Sequence, residues 1–210
     1  MKALILVDIQ NDFLSGGALA VKDGNQIIPL VNSLQQKFDL IIATQDWHPK
    51  EHGSFAGTHN KQVGEKIKLS GIDQVLWPAH CVQGTPGADF APELNIGKIN
   101  KVFRKGTGKT IDSYSGFFDN NRKKSTGLES YLKEKEVTEV YIVGLATDYC
   151  VKFTALDAVS LGFKTAVILS ACRGVELKAG DVQSAIEEME RKGVKIIKDK
   201  NIQGAFIINQ

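Results

Sequence analysis

Val140-Tyr141-Ile142-Val143-Gly144-Leu145-Ala146-Thr147-Asp148-Tyr149-Cys150 is the stretch whose reading decides the fold. Its first half is an unbroken apolar run, the pattern of a parallel strand buried on both faces, and its second half turns polar as a helix begins. Such a turn offers unpaired N–H groups and a partial positive charge to an anion. A cysteine in that first turn can therefore have its thiol pKa lowered toward neutrality. The other reading of Cys150 is a small apolar core residue, the usual fate of a free cysteine. The segment alone leaves the two balanced.

Outward from this run, further apolar stretches alternate with helical periodicity. Strands are expected at Ala3 to Val7, Leu40 to Thr44, Lys101 to Arg104, Val137 to Val143, Lys164 to Leu169 and Val194 to Ile197. Helices are expected at Gln26 to Lys37, Leu128 to Lys135, Tyr149 to Leu161 and Ala179 to Lys192, with Gly162 and Gly193 closing the last two. Right-handed strand–helix–strand units in this order predict an α/β fold: a doubly wound, mainly parallel six-stranded sheet with helices on both faces. Ligands of such sheets bind beyond the carboxyl ends of the strands, so polar residues just after strands are the candidates. With 210 residues, 42% of them hydrophobic, and no internal repeat or linker, one domain over 1–210 is expected.

Charge and cysteine usage narrow the function. Lys and Arg number 26 against 24 Asp and Glu, a net +2 without long single-sign runs, which points away from nucleic acid and membrane surfaces and toward a small-molecule partner. The apolar start, Ala3 to Val7, is too short for a signal peptide or a membrane span, so a cytoplasmic protein is expected. Cys81, Cys150 and Cys172 are odd in number and far apart, which fits free thiols rather than a disulfide framework or thiolate cluster.

Each strand end supplies a candidate. The first yields Asp8, either a ligand-facing carboxylate or a cap for the following turn. The second yields Asp46-Trp47-His48, a carboxylate and an imidazole two residues apart that point the same way if the strand continues. With His80 they form a two-histidine, one-carboxylate set able to hold a divalent metal with positions left open. His59, beside Gly57 and Asn60, reads as a solvent-facing residue. The third strand ends on Lys105, a cation for the same edge or a solvated lysine; Arg104 should face the opposite way. Gly106-Thr107-Gly108-Lys109-Thr110 imitates the end of a phosphate-binding loop, but Phe103 stands where that motif needs its first glycine, which excludes nucleotide hydrolysis.

Asp8, Lys105 and Cys150 thus supply base, cation and nucleophile from three strand ends. At this point the chain resembles, from end to end, the nicotinamidases (pyrazinamidases) among the isochorismatase-like cysteine hydrolases. The resemblance rests on Asp8-Ile9-Gln10-Asn11-Asp12-Phe13, Gln45-Asp46-Trp47-His48-Pro49, Trp77-Pro78-Ala79-His80-Cys81-Val82, Phe103-Arg104-Lys105-Gly106, Asp112-Ser113-Tyr114-Ser115-Gly116-Phe117 and Gly144-Leu145-Ala146-Thr147-Asp148-Tyr149-Cys150-Val151, in that order.

The resemblance implies the isochorismatase-like hydrolase fold and hydrolysis of nicotinamide to nicotinate and ammonia in NAD salvage, with pyrazinamide as a further substrate. It carries over Asp8, Lys105 and Cys150 as the triad, Ala146 and Cys150 as backbone donors of the oxyanion hole, and a cis peptide before Ala146. It also implies Phe13, Trp77 and Tyr114 as walls of the ring pocket, and Asp46, His48 and His80 as ligands of one divalent metal, zinc first, with iron and manganese as alternatives. His52 is left either as a residue supporting a metal ligand or as a substitute ligand, and a homo-oligomer is left open. Other amidases of the superfamily, and a non-catalytic binding module with Cys150 as a redox sensor, are the competing readings.

Overall fold

The computed structural model describes residues 1–198. Six strands form one sheet: β1 (Lys2–Val7), β2 (Leu40–Asp46), β5 (Lys101–Lys105), β6 (Glu139–Leu145), β7 (Lys164–Arg173) and β8 (Lys195–Ile197), in the order β5-β2-β1-β6-β7-β8. Every neighbouring pair is parallel. All six expected strands are present, with ends shifted by a few residues.

Alternation along the strands divides the core in two. Leu4, Leu6, Ile41, Ala43, Tyr141 and Val143 face one way and pack on Ile28, Val31 and Leu34 of α1 (Ile28–Leu34). Ala3, Ile5, Val7, Ile42, Val140 and Ile142 face the other way, and are covered by α2 (Leu128–Glu134), α3 (Lys152–Ser160) and α4 (Asp181–Arg191) through Leu128, Leu132, Ala155, Ala158, Ile186 and Met189. Neither face of the central strands meets water, which is why their sequence reads as continuous Val/Ile/Leu rather than alternating. Among the described residues no helix is long and apolar enough to cross a membrane.

Two elements depart from expectation. The helix expected from Tyr149 begins as a π-type turn, Thr147–Val151, before α3 proper. A hairpin of β3 (Lys66–Leu69) and β4 (Ile72–Val75) was not expected at all. Part of its signal is present in the sequence: the alternating run Lys66-Ile67-Lys68-Leu69 leads into Ser70-Gly71, both of which have positive φ, as a tight two-residue turn needs.

Candidate active site

Four strand ends meet at one edge. The backbone turns sharply after β1 at Asp8, whose φ is +49°, and this swings the carboxylate under the ends of β2 and β5. Asp8 is fully buried, with Oδ1 accepting a 2.6 Å hydrogen bond from the Thr44 hydroxyl and Oδ2 2.9 Å from Lys105 Nζ. The last residue of β5, Lys105, is likewise buried, while Arg104 faces outward over the Trp47 ring, as strand alternation requires. Its ammonium group lies 2.5 Å from Asp46 Oδ1 and 3.3 Å from Cys150 Sγ, and donates to the Ser113 carbonyl at 2.9 Å. The Asp8 and Asp46 carboxylates and the Cys150 sulfur lie within 4.8 Å of one another. Asp8, Lys105 and Cys150 are therefore brought together.

The electrostatics of this cluster follow from burial and charge. For Lys105, burial alone would favour the neutral amine, but Asp46, Asp8 and the Cys150 sulfur outweigh it and hold its pKa well above the usual lysine value. Burial, helped by the Asp46 charge and opposed by Lys105, raises the Asp8 carboxyl above the ordinary range. The Cys150 thiol is pushed well up, first by burial, with Lys105 opposing and Asp8 and Asp46 adding. This corrects the expectation of a thiol acidified by a helix start. The sulfur is shielded from water and flanked by two carboxylates, terms larger than the dipole of a single turn. At rest the proton stays on sulfur, beside a carboxylate of raised proton affinity.

Asp46, His48 and His80 form the second cluster. His48 Nε2 is 3.4 Å and His80 Nε2 is 3.8 Å from Asp46 Oδ2, and the three ligand atoms lie within 4.8 Å of one another. The remote nitrogens are committed elsewhere: His48 Nδ1 to the Gly106 carbonyl at 3.0 Å and His80 Nδ1 to the Pro78 carbonyl at 2.8 Å. Those bonds fix the tautomer that presents Nε2 as an acceptor, the arrangement metal-binding histidines use. His48 Nε2 is buried with no hydrogen-bond partner, which a metal ion would satisfy, and an N, N, O donor set suits a borderline divalent cation. The residues present fit such an ion.

His52 packs against His48 with ring centroids 4.4 Å apart and the rings tilted by 36°, its Nδ1 2.7 Å from the Ser54 hydroxyl and its Nε2 3.1 Å from the Ile111 carbonyl. Its ring nitrogens approach those of His48 and the Asp112 carboxylate within the same 4.8 Å span, behind the first cluster. His59 is half-buried, not solvent-facing, with Nε2 2.8 Å from the Gly53 carbonyl, because the 3-10 turn Ala56–His59 folds back on that loop.

Gly106 shows how tightly His48 is framed. Its φ is +63°, and a Cβ there would stand 2.3 Å from His48 Cε1. Gly106→Ala is expected to cost about 2 to 4 kcal/mol, from left-handed backbone and overpacking together. A thermal midpoint unchanged from the parent would contradict this.

Between the clusters lies a small pocket lined by Phe13, Trp77, Tyr114, Ala146 and Cys150, together with Asp46 and His80. Leu19, Asp112, Tyr149 and Val175 also line it, and the sequence reading did not single them out as pocket residues. The Tyr114 hydroxyl accepts hydrogen bonds from Trp77 Nε1 at 3.1 Å and from Gln74 Nε2 at 2.9 Å, so β4 braces Tyr114, and Trp77 is tied to the same hydroxyl. The Leu145–Ala146 peptide is cis.

Comparison with known proteins agrees with this geometry. The isochorismatase domain model matches residues 2–200. A nicotinamidase of Acinetobacter baylyi is 49% identical over 201 residues, covering 95% of this chain and 94% of that protein. The yeast nicotinamidase bound to the inhibitor nicotinaldehyde superposes with a TM-score of 0.90 at 33% identity, over 95% of this chain and 100% of the other. A pyrazinamidase of Pyrococcus horikoshii in complex with zinc gives 0.77 at 40% identity, over 94% and 99%.

Proposed function

The chain belongs to the isochorismatase domain family, and from that premise we propose that Asp8, Lys105 and Cys150 are the base, cation and nucleophile of its reaction. It is a metal-containing amidohydrolase that converts nicotinamide to nicotinate and ammonia in NAD salvage, and it deamidates pyrazinamide. The observation that carries the assignment of residues is the buried contact of one ammonium group with two carboxylates and a thiol.

The chemistry follows from the site. As substrate enters, Asp8 Oδ2 takes the thiol proton, and the positive charge of Lys105 stabilises the thiolate as it forms. Cys150 Sγ attacks the amide carbon, and the developing oxyanion is held by the backbone N–H groups of Ala146 and Cys150. Such donors commonly lower the barrier by about 3 to 4 kcal/mol. Asp8 passes its proton to the leaving nitrogen, the C–N bond breaks, and ammonia departs. The nicotinoyl thioester is then hydrolysed by a water that Asp8 deprotonates, and Cys150 is protonated again. Phe13, Trp77 and Tyr114 supply flat walls for the pyridine ring.

Asp46, His48 and His80 would hold the metal, with His52 steadying the His48 ring from behind. When bound, the cation is a Lewis acid able to accept the ring nitrogen; zinc is the proposed ion, and iron or manganese would suit the same donors. His48→Ala is expected to weaken metal binding by more than about 100-fold, beyond what outer-shell changes cause, and to raise KM far more than it lowers kcat. Stoichiometric metal in the purified variant, by elemental analysis, would refute the ligand set. We place the enzyme, as one domain, in the cytoplasm, where reducing conditions suit its three free cysteines. The test of the whole reading is ammonia release from nicotinamide, followed together with the intact mass of the protein. A nicotinoyl adduct on Cys150 is expected under rapid quench, and turnover without Cys150 would end the assignment.

A further inference from the structure

Asp46 stands where the sheet loses a strand. Between β1 and β2 the paired residues end at Leu6 and Ala43, and one residue after β1 the positive φ of Asp8 carries the main chain away. On its other side Asp46 is still paired, with Lys105 of β5. Its N–H and C=O on the β1 side would be buried without partners, a cost a protein interior avoids.

The Gln10 side chain fills that gap. Gln10 is fully buried, and its Oε1 accepts the Asp46 N–H at 2.8 Å while its Nε2 donates to the Asp46 carbonyl at 2.8 Å. One primary amide thus gives Asp46 the acceptor and donor that a neighbouring peptide unit would give, without a main chain occupying the space. Nε2 also donates to the Ala88 carbonyl at 2.8 Å, which ties the amide to a second loop. From the same turn after β1, Asp12 Oδ2 accepts the Cys81 N–H at 2.7 Å, next to His80, at a residue whose φ is +46°. One short loop therefore holds the backbone of Asp46 and that of Cys81, the residue after His80.

We propose that Gln10 is a positioning residue for the cation site: its side-chain amide acts as a substitute strand edge that sets the backbone, and hence the carboxylate, of Asp46. This rests on the assignment of Asp46, His48 and His80 as metal ligands. Asp46 has two duties, Oδ1 against Lys105 and Oδ2 between the histidines, so a small rotation of its backbone disturbs the ligand set before it unfolds anything.

Gln45 provides a control within the same structure. It is buried beside Asp46 and its Nε2 donates to the same Ala88 carbonyl at 2.9 Å, but its Oε1 takes Arg104 Nε, and its side chain has no hydrogen bond to Asp46. Zinc affinity would be measured by competition with a fluorescent chelator for the parent, Gln10→Met, Gln45→Met and His48→Ala, with thermal midpoints recorded alongside. Both methionine variants should lose stability, whereas only Gln10→Met should lose zinc affinity, by about 10- to 100-fold, the usual effect of removing an outer-shell partner. A loss below about fivefold in Gln10→Met, or an equal loss in Gln45→Met, overturns the proposal. Should Gln10→Met fail to fold, Gln10→Glu, which keeps the shape and the acceptor but not the donor, is judged by the same threshold. His48→Ala separates the two levels: parent-like zinc binding there refutes the ligand assignment itself, while lost zinc there with parent-like Gln10→Met refutes only the role of Gln10.

Discussion

Ammonia release from nicotinamide is expected to fall by on the order of a millionfold in Cys150→Ala, the scale seen when a catalytic nucleophile is removed from a residue set that acts as a unit. The sulfur is the nucleophile that lines this pocket: Lys105 is held to Asp8 and to Asp46, while Asp46 and His80 line the pocket beside Cys150. The substitution removes one buried atom next to Lys105 and leaves the Asp46, His48 and His80 contacts in place, so zinc binding and the fold should persist. Steady-state ammonia assays with the metal content measured on the same samples decide it. Residual turnover within about a hundredfold of the parent would mean that another group attacks.

The second large effect is on stability. Lys105→Met keeps the length of the side chain but leaves two buried carboxylates without their cation, and should cost about 3 to 5 kcal/mol along with all measurable activity. Its pH dependence has a definite sign. In the parent, burial would raise the Asp46 carboxyl, yet Lys105 and His48 hold it well below its usual value, so its contribution is present above that value and is lost as pH falls. Without Lys105, the strongest force lowering Asp46 is gone and Asp8 is raised further, so the folded variant binds more protons than the folded parent. Stability of the variant relative to the parent should therefore rise as pH is lowered from neutrality toward the carboxylate range. Urea unfolding of chelator-treated protein across that interval tests it, and parallel pH profiles for parent and variant would refute the ion cluster as described.

Much of this was legible in the primary structure because strand ends are punctuated chemically. Apolar runs that give way to polar residues at Asp8, Thr44 and Thr147 mark the central strands and their rim, since a doubly buried strand cannot carry a charge until it leaves the core, whereas β5, at the sheet's edge, carries Lys101 and Arg104 before it reaches Lys105. What remained hidden depends on side chains reaching across the fold. Gln74 lies on a hairpin too short and too polar to register as core, and nothing local says that its amide donates to the Tyr114 hydroxyl. Gln10 stands within Asp8-Ile9-Gln10-Asn11-Asp12-Phe13, but its pairing with Asp46 follows only from the place where β1 stops beside β2. The raised thiol pKa of Cys150 is not legible from periodicity, which reveals a helix start and not the depth at which it is buried.

The strand order carries a consequence for biosynthesis. Lys2 of β1 is paired with Glu139 of β6, so the central strand stays open on one side until most of the polypeptide has been made. Three reactive groups drawn from positions 8, 105 and 150 cannot meet in any short nascent fragment. A ribosome that stalls early releases an inert piece, and a competent thiol arises only once the last long-range pairing has closed.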